Sequence, residues 1–137
     1  MNAEQVELVQ QSFEKVVPIS GTAATLFYDR LFETTPEVKP LFKGDMERQK
    51  LVLMQTLGVV VRGLHQPETI LPAVKSLAER HKDYGVQAEH FQNVGAALLW
   101  TLEKGLGDAY TPEVNDAWVA AYTLLSGVMI DTMEKAS

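Results

Sequence analysis

Apolar residues recur every three or four positions along almost the whole chain, the repeat that presses one face of an α-helix against a core. Val6, Val9, Phe13, Val16 and Val17 form the first stripe, with Asn2 placed to cap it and Pro18 to end it. Ser20 can cap a second helix carrying Ala24, Phe27, Tyr28, Leu31 and Phe32. Thr35-Pro36 sets a capping residue before a proline, which predicts a short new turn from Glu37 to Phe42, followed by the polar loop Lys43-Gly44-Asp45. Asp45 can cap a long third helix from Met46 to about Leu64, with Gln49, Leu53, Leu57, Val60 and Leu64 along one side and Gly63 and Pro67 closing it. Thr69 opens the next helix, which tolerates Pro72 in its first turn, reaches His81 and is closed by Gly85. Phe91, Val94, Leu98, Leu102 and Leu106 mark a helix from about Ala88 to the glycines at 105 and 107. Thr111-Pro112 repeats the cap-plus-proline device before a long last stripe of Val114, Trp118, Ala121, Tyr122, Leu125, Met129 and Met133.

The apolar/polar alternation of strands does not persist anywhere, and the strand-like Val59-Val60-Val61 is embedded in a longer helical period. Six substantial helices and a short one, joined by short loops, predict a single all-α domain over residues 1–137. Heptads are not sustained, the helices differ in length and several are apolar over a wide arc. Crossed-helix packing therefore fits better than a slim bundle or a coiled coil.

Composition narrows the partners. A net charge of -6 argues against nucleic acid and anionic membrane, both of which need clustered Lys and Arg. No run approaches the roughly 18 apolar residues of a membrane span, and the acidic, polar start is not a signal peptide, so a cytoplasmic location is expected. The absence of cysteine excludes disulfides, thiolate metal sites and Cys nucleophiles. No Gly-rich phosphate loop, Gly-x-Ser-x-Gly elbow, His-Glu-x-x-His pair or Glu-x-x-His pair is present, which leaves hydrolysis and phosphoryl transfer without machinery.

One feature of the fourth stripe is chemically loaded. Ile70, Val74, Leu77, Ala78 and His81 share a face, so the imidazole points inward. A buried imidazole needs partners, because an unsatisfied buried polar group costs about 1–3 kcal/mol. Two readings answer that need: a core histidine bonded to a backbone carbonyl, or a metal ligand. The stretch alone does not separate them. The other histidines, His65 and His90, read as surface residues.

The motifs in order decide the matter differently. Leu26-Phe-Tyr-Asp-Arg-Leu-Phe32, Pro36-Glu-Val-Lys-Pro-Leu-Phe42, Leu71-Pro-Ala-Val-Lys75 and Ala117-Trp118-x-x-Ala-Tyr122 resemble the globin family over essentially the whole chain. Among globins, they are most similar to single-domain bacterial haemoglobins and the globin domains of flavohaemoglobins. The resemblance implies a globin fold of crossed helices around a haem pocket, without the short helix that can stand between the turn ending at Phe42 and the distal helix. It implies haem b as cofactor, with His81 as axial ligand of a five-coordinate iron. Phe42 and Leu53 would pack the haem, with Leu77, Val86 and Phe91 on the side of His81.

By the same resemblance Tyr28 and Gln49 are the distal donors to a bound diatomic. Bound O2 draws in electron density and accepts hydrogen bonds, each worth about 1 kcal/mol or more, whereas CO gains less. Each residue keeps a plainer alternative, Tyr28 as a core tyrosine and Gln49 as a solvated residue whose register could shift to bring Arg48 or Lys50 inward. One departure bears on function. Flavohaemoglobin globin domains flank the axial His with a Tyr and a Glu that favour oxygen activation, and those positions are Phe91 and Met133 here, with Glu134 one residue off.

The expected function is reversible O2 binding or delivery. The alternatives are nitric oxide dioxygenation with a separate reductase, since the chain ends at Ser137 without flavin or nicotinamide domains, and a haem-free sensor or interaction module. CO and NO are further expected ligands.

Overall fold

The computed structural model describes residues 2–42, 44–83 and 87–135. They form six α-helices: α1 Ala3–Val16, α2 Ser20–Thr34, α3 Met46–Arg62, α4 Pro67–Asp83, α5 His90–Leu106 and α6 Pro112–Lys135. Short 3-10 segments occupy Val17–Ile19, Pro36–Leu41 and Gly107–Ala109, and there is no strand among the described residues. The all-α expectation and its six stripes therefore hold.

Local chemistry sets most boundaries. Asn2 accepts from the Gln5 N–H at 2.8 Å while the Gln5 side chain accepts from the Asn2 N–H at 3.1 Å, a reciprocal cap on α1. Asp45 accepts from the Glu47 N–H at 3.0 Å, and Thr111 Oγ1 from the Val114 N–H at 3.2 Å. Gly107, at φ 56°, supplies the left-handed residue that stops α5.

Three boundaries differ from the sequence reading. Ser20 is the first helical residue of α2 rather than its cap, and Ile19 precedes it without a capping hydrogen bond. The 3-10 turn through Pro18 feeds α2 directly, so α2 begins without a side-chain cap. The fourth helix starts at Pro67, not Thr69, because proline at a first position gives up only an N–H that would be unpaired anyway. That start leaves Pro72 in the second turn, inside the helix. Gly85 lies outside the described residues, as does Lys43 in the stretch where a further short helix was expected to be missing.

Packing is by crossed pairs. α6 lies against α1 and α4, and α2 crosses α5. Val9, Phe13, Val16, Leu31, Val74, Ala78, Ala117 and Trp118 are buried where these helices meet. The first and last helices are tied by Trp118, whose Nε1–H donates to Ser12 Oγ at 2.8 Å, and the Ser12 hydroxyl donates in turn to Leu8 O at 2.7 Å. At the α5–α6 crossing a Cβ on Gly95 would fall 2.6 Å from the Tyr122 ring, so the close approach there requires glycine. The fold thus concentrates its tight packing around α1, α5 and α6. Between α3 and α4 it leaves space.

Candidate functional site

That space is a cavity of about 660 Å³, within the roughly 300–1,000 Å³ range of small-molecule and cofactor sites. α3 supplies one wall through Gln49, Leu53, Leu57 and Val60; α4 faces it with Leu77 and His81. α5 adds Phe91 and Leu98, and α6 adds Tyr122 and Met129. The wall is mostly apolar, with polar groups confined to a few points.

His81 is half-buried at the end of α4. Its Nδ1 lies 2.8 Å from the Leu77 carbonyl oxygen one turn earlier, a contact in which the ring N–H donates and fixes the ring's orientation. Burial lowers the pKa of His81, the Leu77 carbonyl opposes that shift, and the positive Arg80 beside it adds to it, so the neutral ring is favoured. The neutral imidazole is the form that ligates metals. Phe91 stacks beside it, ring centroids 6.4 Å apart and planes inclined by 24°.

Phe42, at the end of the 3-10 turn, belongs to an aromatic cluster at the other end of the cavity. It meets Tyr28 edge-on at 5.4 Å and Phe32 edge-on at 5.4 Å, and Phe27 meets Tyr28 edge-on at 5.0 Å. Tyr28 is buried behind this cluster and does not itself line the cavity. Burial raises its pKa, and interaction with the Gln49 side chain, which does line the cavity, partly offsets the rise. The phenol of Tyr28 and the amide of Gln49 therefore act on one another. Both Arg48 and Gln49 border the cavity, with Arg48 exposed at its mouth, while Lys50 Nζ is engaged 3.2 Å from Glu47.

The structure accordingly gathers Gln49, Phe42, Leu53, Leu77, His81 and Phe91 around one cavity and sets Tyr28 just behind it. Val86 lies outside the described residues. His90 departs from the sequence reading: it is half-buried and borders the cavity, not the open surface. Its Nδ1 accepts the Gln87 N–H at 3.0 Å, so a neutral ring carries its proton on Nε2. Arg80, Thr56 and Ser126 were also missed. Their sequence signal was weak, since each sits at the edge of an amphipathic stripe, where periodicity does not separate rim from solvent.

Phe91, Met133 and Glu134 mark the departure from the pattern that the sequence resembles. Phe91 offers a ring and no hydroxyl, Met133 is buried and Glu134 is exposed. A phenol does approach this region from α6: Tyr122 Oη–H donates to the Phe91 carbonyl at 2.6 Å. Among the described residues no group of three or more His, Cys, Asp or Glu side chains could hold a metal by itself, and no helix is long and apolar enough to cross a membrane.

The globin family model matches residues 25–129. A flavohemoprotein of Vibrio cholerae is 29% identical over 134 residues, covering 96% of this chain and 34% of that protein. One from Bordetella parapertussis is 32% identical over 134 residues, covering 95% and 33%. The chain thus spans about a third of the length of these curated relatives. Among solved structures, an engineered carbene transferase from Rhodothermus marinus, whose parent is provisionally named a nitric oxide dioxygenase, superposes with a TM-score of 0.91 at 26% identity, covering 99% of this chain and 95% of that one. A bacterial globin from Campylobacter jejuni superposes with a TM-score of 0.86 at 24% identity, covering 98% of each chain.

Proposed function

The chain belongs to the globin family, which implies haem binding, and we propose that it holds haem b in the 660 Å³ cavity with His81 as the axial ligand and binds O2 reversibly on the opposite side. The observation that carries this reading is His81 itself. It is an inward, half-buried imidazole kept neutral and held by Leu77 O through Nδ1, in the wall of a cavity of cofactor size. Metal-ligating histidines are oriented in this way, one nitrogen donating to a carbonyl and the other serving the metal.

The remaining lining fits the same group. A flat, largely apolar macrocycle suits walls of Phe42, Leu53, Leu77 and Phe91, and its two carboxylates suit the open end, where Arg48 and Arg80 bring cations and His90 a ring N–H. Bound haem supplies an iron that takes a diatomic ligand. The protein's contribution is the rest. Apolar side chains exclude water, Gln49 offers an amide N–H at the cavity wall, and Tyr28 orients that amide or donates past it. Two donors favour a ligand that has gained negative charge, so O2 is held tightly and CO benefits less.

A second reading, nitric oxide dioxygenation, is favoured by the Rhodothermus structure and by the flavohemoprotein relatives. Haem held by His81 would supply the one-electron redox chemistry for converting NO and O2 to nitrate, with a separate reductase as the electron source. Phe91 and Met133 stand at the positions of the Tyr and Glu that support oxygen activation, and the neighbouring Glu134 is exposed, which favours binding over turnover as the main role.

The test is spectroscopic. Haem-replete protein should show a Soret band that shifts between O2 and CO, and His81→Ala should weaken or abolish normal haem incorporation. A colourless protein would instead indicate a haem-free sensor or interaction module. Sustained NO consumption with a reductant would favour the dioxygenase, whereas one stoichiometric burst leaving ferric protein would favour the binder.

A further inference from the structure

Large apolar side chains scattered singly over a surface are ordinary, whereas a contiguous exposed set marks a contact. Among the described residues the two most exposed are Leu51 at 59% and Val59 at 55%, and both stand on α3 with the exposed Val52. At roughly 3.6 residues per turn, Arg48, Leu51, Val52, Gln55, Val59 and Arg62 fall within an arc of about 100°. All six are exposed, on the side of the helix turned away from Leu53, Leu57 and Val60. The stripe carries no acid, and an arginine closes each end of it. Glu47, to one side, is engaged 3.2 Å from Lys50 Nζ.

The stripe is also nearly palindromic. About Gln55, Val52 and Gly58 stand three residues away, Leu51 and Val59 four, and Arg48 and Arg62 seven. An isologous two-fold contact requires that symmetry, because each residue pair then occurs twice, i on j and j on i. When two α3 helices lie antiparallel across an axis at Gln55, Val52 of each copy faces Val59 of the other. Leu51 faces Gly58, which has no side chain and is covered by the far end of Arg62. The two Gln55 amides meet at the axis, and each has donors and an acceptor to offer. At the ends Arg48 approaches the other copy's Arg62, a like-charge contact that needs an anion. Glu14 supplies one: its Oε1 lies 4.0 Å from Arg62 Nε. Within one chain that pair is too exposed to contribute much, but in the paired helices two guanidinium groups share the carboxylate.

We propose that the outward face of α3 pairs with the same face of a second copy in an antiparallel, two-fold dimer. An unrelated partner places no demand on the stripe to match itself in reverse, whereas a second copy does. The contact goes beyond cofactor binding and does not depend on what fills the cavity. Its consequence for the site is one of position. The other side of α3 carries Gln49, Leu53 and Leu57, so the dimer sets two cavities back to back across one helix pair.

Sedimentation of the full chain from micromolar to near-millimolar concentration should show a reversible monomer–dimer equilibrium. Val59→Glu and Leu51→Glu lie outside the cavity wall, and each should weaken the dimer by roughly tenfold or more with helical content unchanged. Leu124→Glu, at an exposed position on α6, should leave the equilibrium as it is. The chain has no cysteine, so Gln55→Cys introduces a single thiol. Helices packed roughly 8–10 Å apart bring facing Cα atoms within the roughly 4.4–6.8 Å that a disulfide spans. Mild oxidation should therefore cross-link the Gln55→Cys chain into a covalent dimer and leave a Leu124→Cys chain monomeric on a non-reducing gel. A chain that stays monomeric at every concentration would overturn the proposal and leave the stripe to a foreign partner with an acidic rim. So would a dimer that survives both glutamate substitutions, or one that cross-links through Leu124→Cys and not through Gln55→Cys.

Discussion

Tyr28 and Tyr122 show how one residue type serves two ends of a site. Tyr28 is buried behind Phe42 and acts on Gln49, so its removal should be felt at the ligand more than in stability. Tyr28→Phe keeps the ring and deletes a donor worth about 1 kcal/mol, which corresponds to roughly fivefold faster O2 release with a much smaller change for CO. Stopped-flow O2 displacement checks this, and an unchanged rate would show that the phenol does not reach the ligand through or past Gln49. Tyr122 is structural by comparison: its hydroxyl is spent on Phe91 O and burial holds its pKa well above the ordinary value of about 10. A phenol whose folded-state pKa is raised contributes stability that is complete below pH about 10 and is lost as pH climbs toward the folded value. Wild type should therefore lose stability more steeply above pH about 10 than Tyr122→Phe does. Urea midpoints measured from neutral to alkaline pH test it, and parallel curves would mean the phenol titrates alike in folded and unfolded chains.

At the scale of elements, the crossing of α5 and α6 is the most constrained contact bearing on the site. Gly95 lets Tyr122 lie close enough to bond the first turn of α5, and that turn carries Phe91 beside His81. Gly95→Ala puts a methyl 2.6 Å from the Tyr122 ring and should cost about 1–3 kcal/mol, net of the small helix-propensity gain. Chemical denaturation checks the magnitude, and a neutral or stabilising result would show that α6 can shift without penalty. Most helix stripes were legible because period and caps agree, as with Asn2 and Gln5 or Asp45 and Glu47. The start of α4 was not. Pro67 reads as a terminator after Gly63, but proline is equally suited to a first helical position, and α4, packed on α6 with Val74 and Ala78 buried, begins there. The same packing carries the helix through Pro72, although an interior proline forfeits a hydrogen bond.

For the molecule as a whole, the large cavity means that the fold without cofactor lacks part of its core. A haem that binds only the folded state should stabilise it by mass action, about 2.7 kcal/mol when free haem stands at a hundred times its dissociation constant. Thermal unfolding of the apoprotein and of the reconstituted protein should therefore differ, with a higher midpoint for the latter. Equal midpoints despite a Soret band would place the haem on the surface rather than in the cavity.

The sequence by itself determined the helices and their inward faces, and with them several residues of the cavity wall, because a 3.6-residue period and local caps are properties of neighbours along the chain. It made Leu77 and His81 inward residues of one stripe, and Phe42 emerged from a motif matched to globins. Tertiary structure alone decided how residues far apart in the chain confront one another. It set Tyr28 behind the cavity rather than in its wall, turned His90 from presumed surface to cavity rim, and joined Tyr122 to Phe91 across two helices. It also left a small apolar recess among Val16, Ala23 and Leu57. A void of that kind is the remainder after five helices have packed, and no local pattern encodes a remainder.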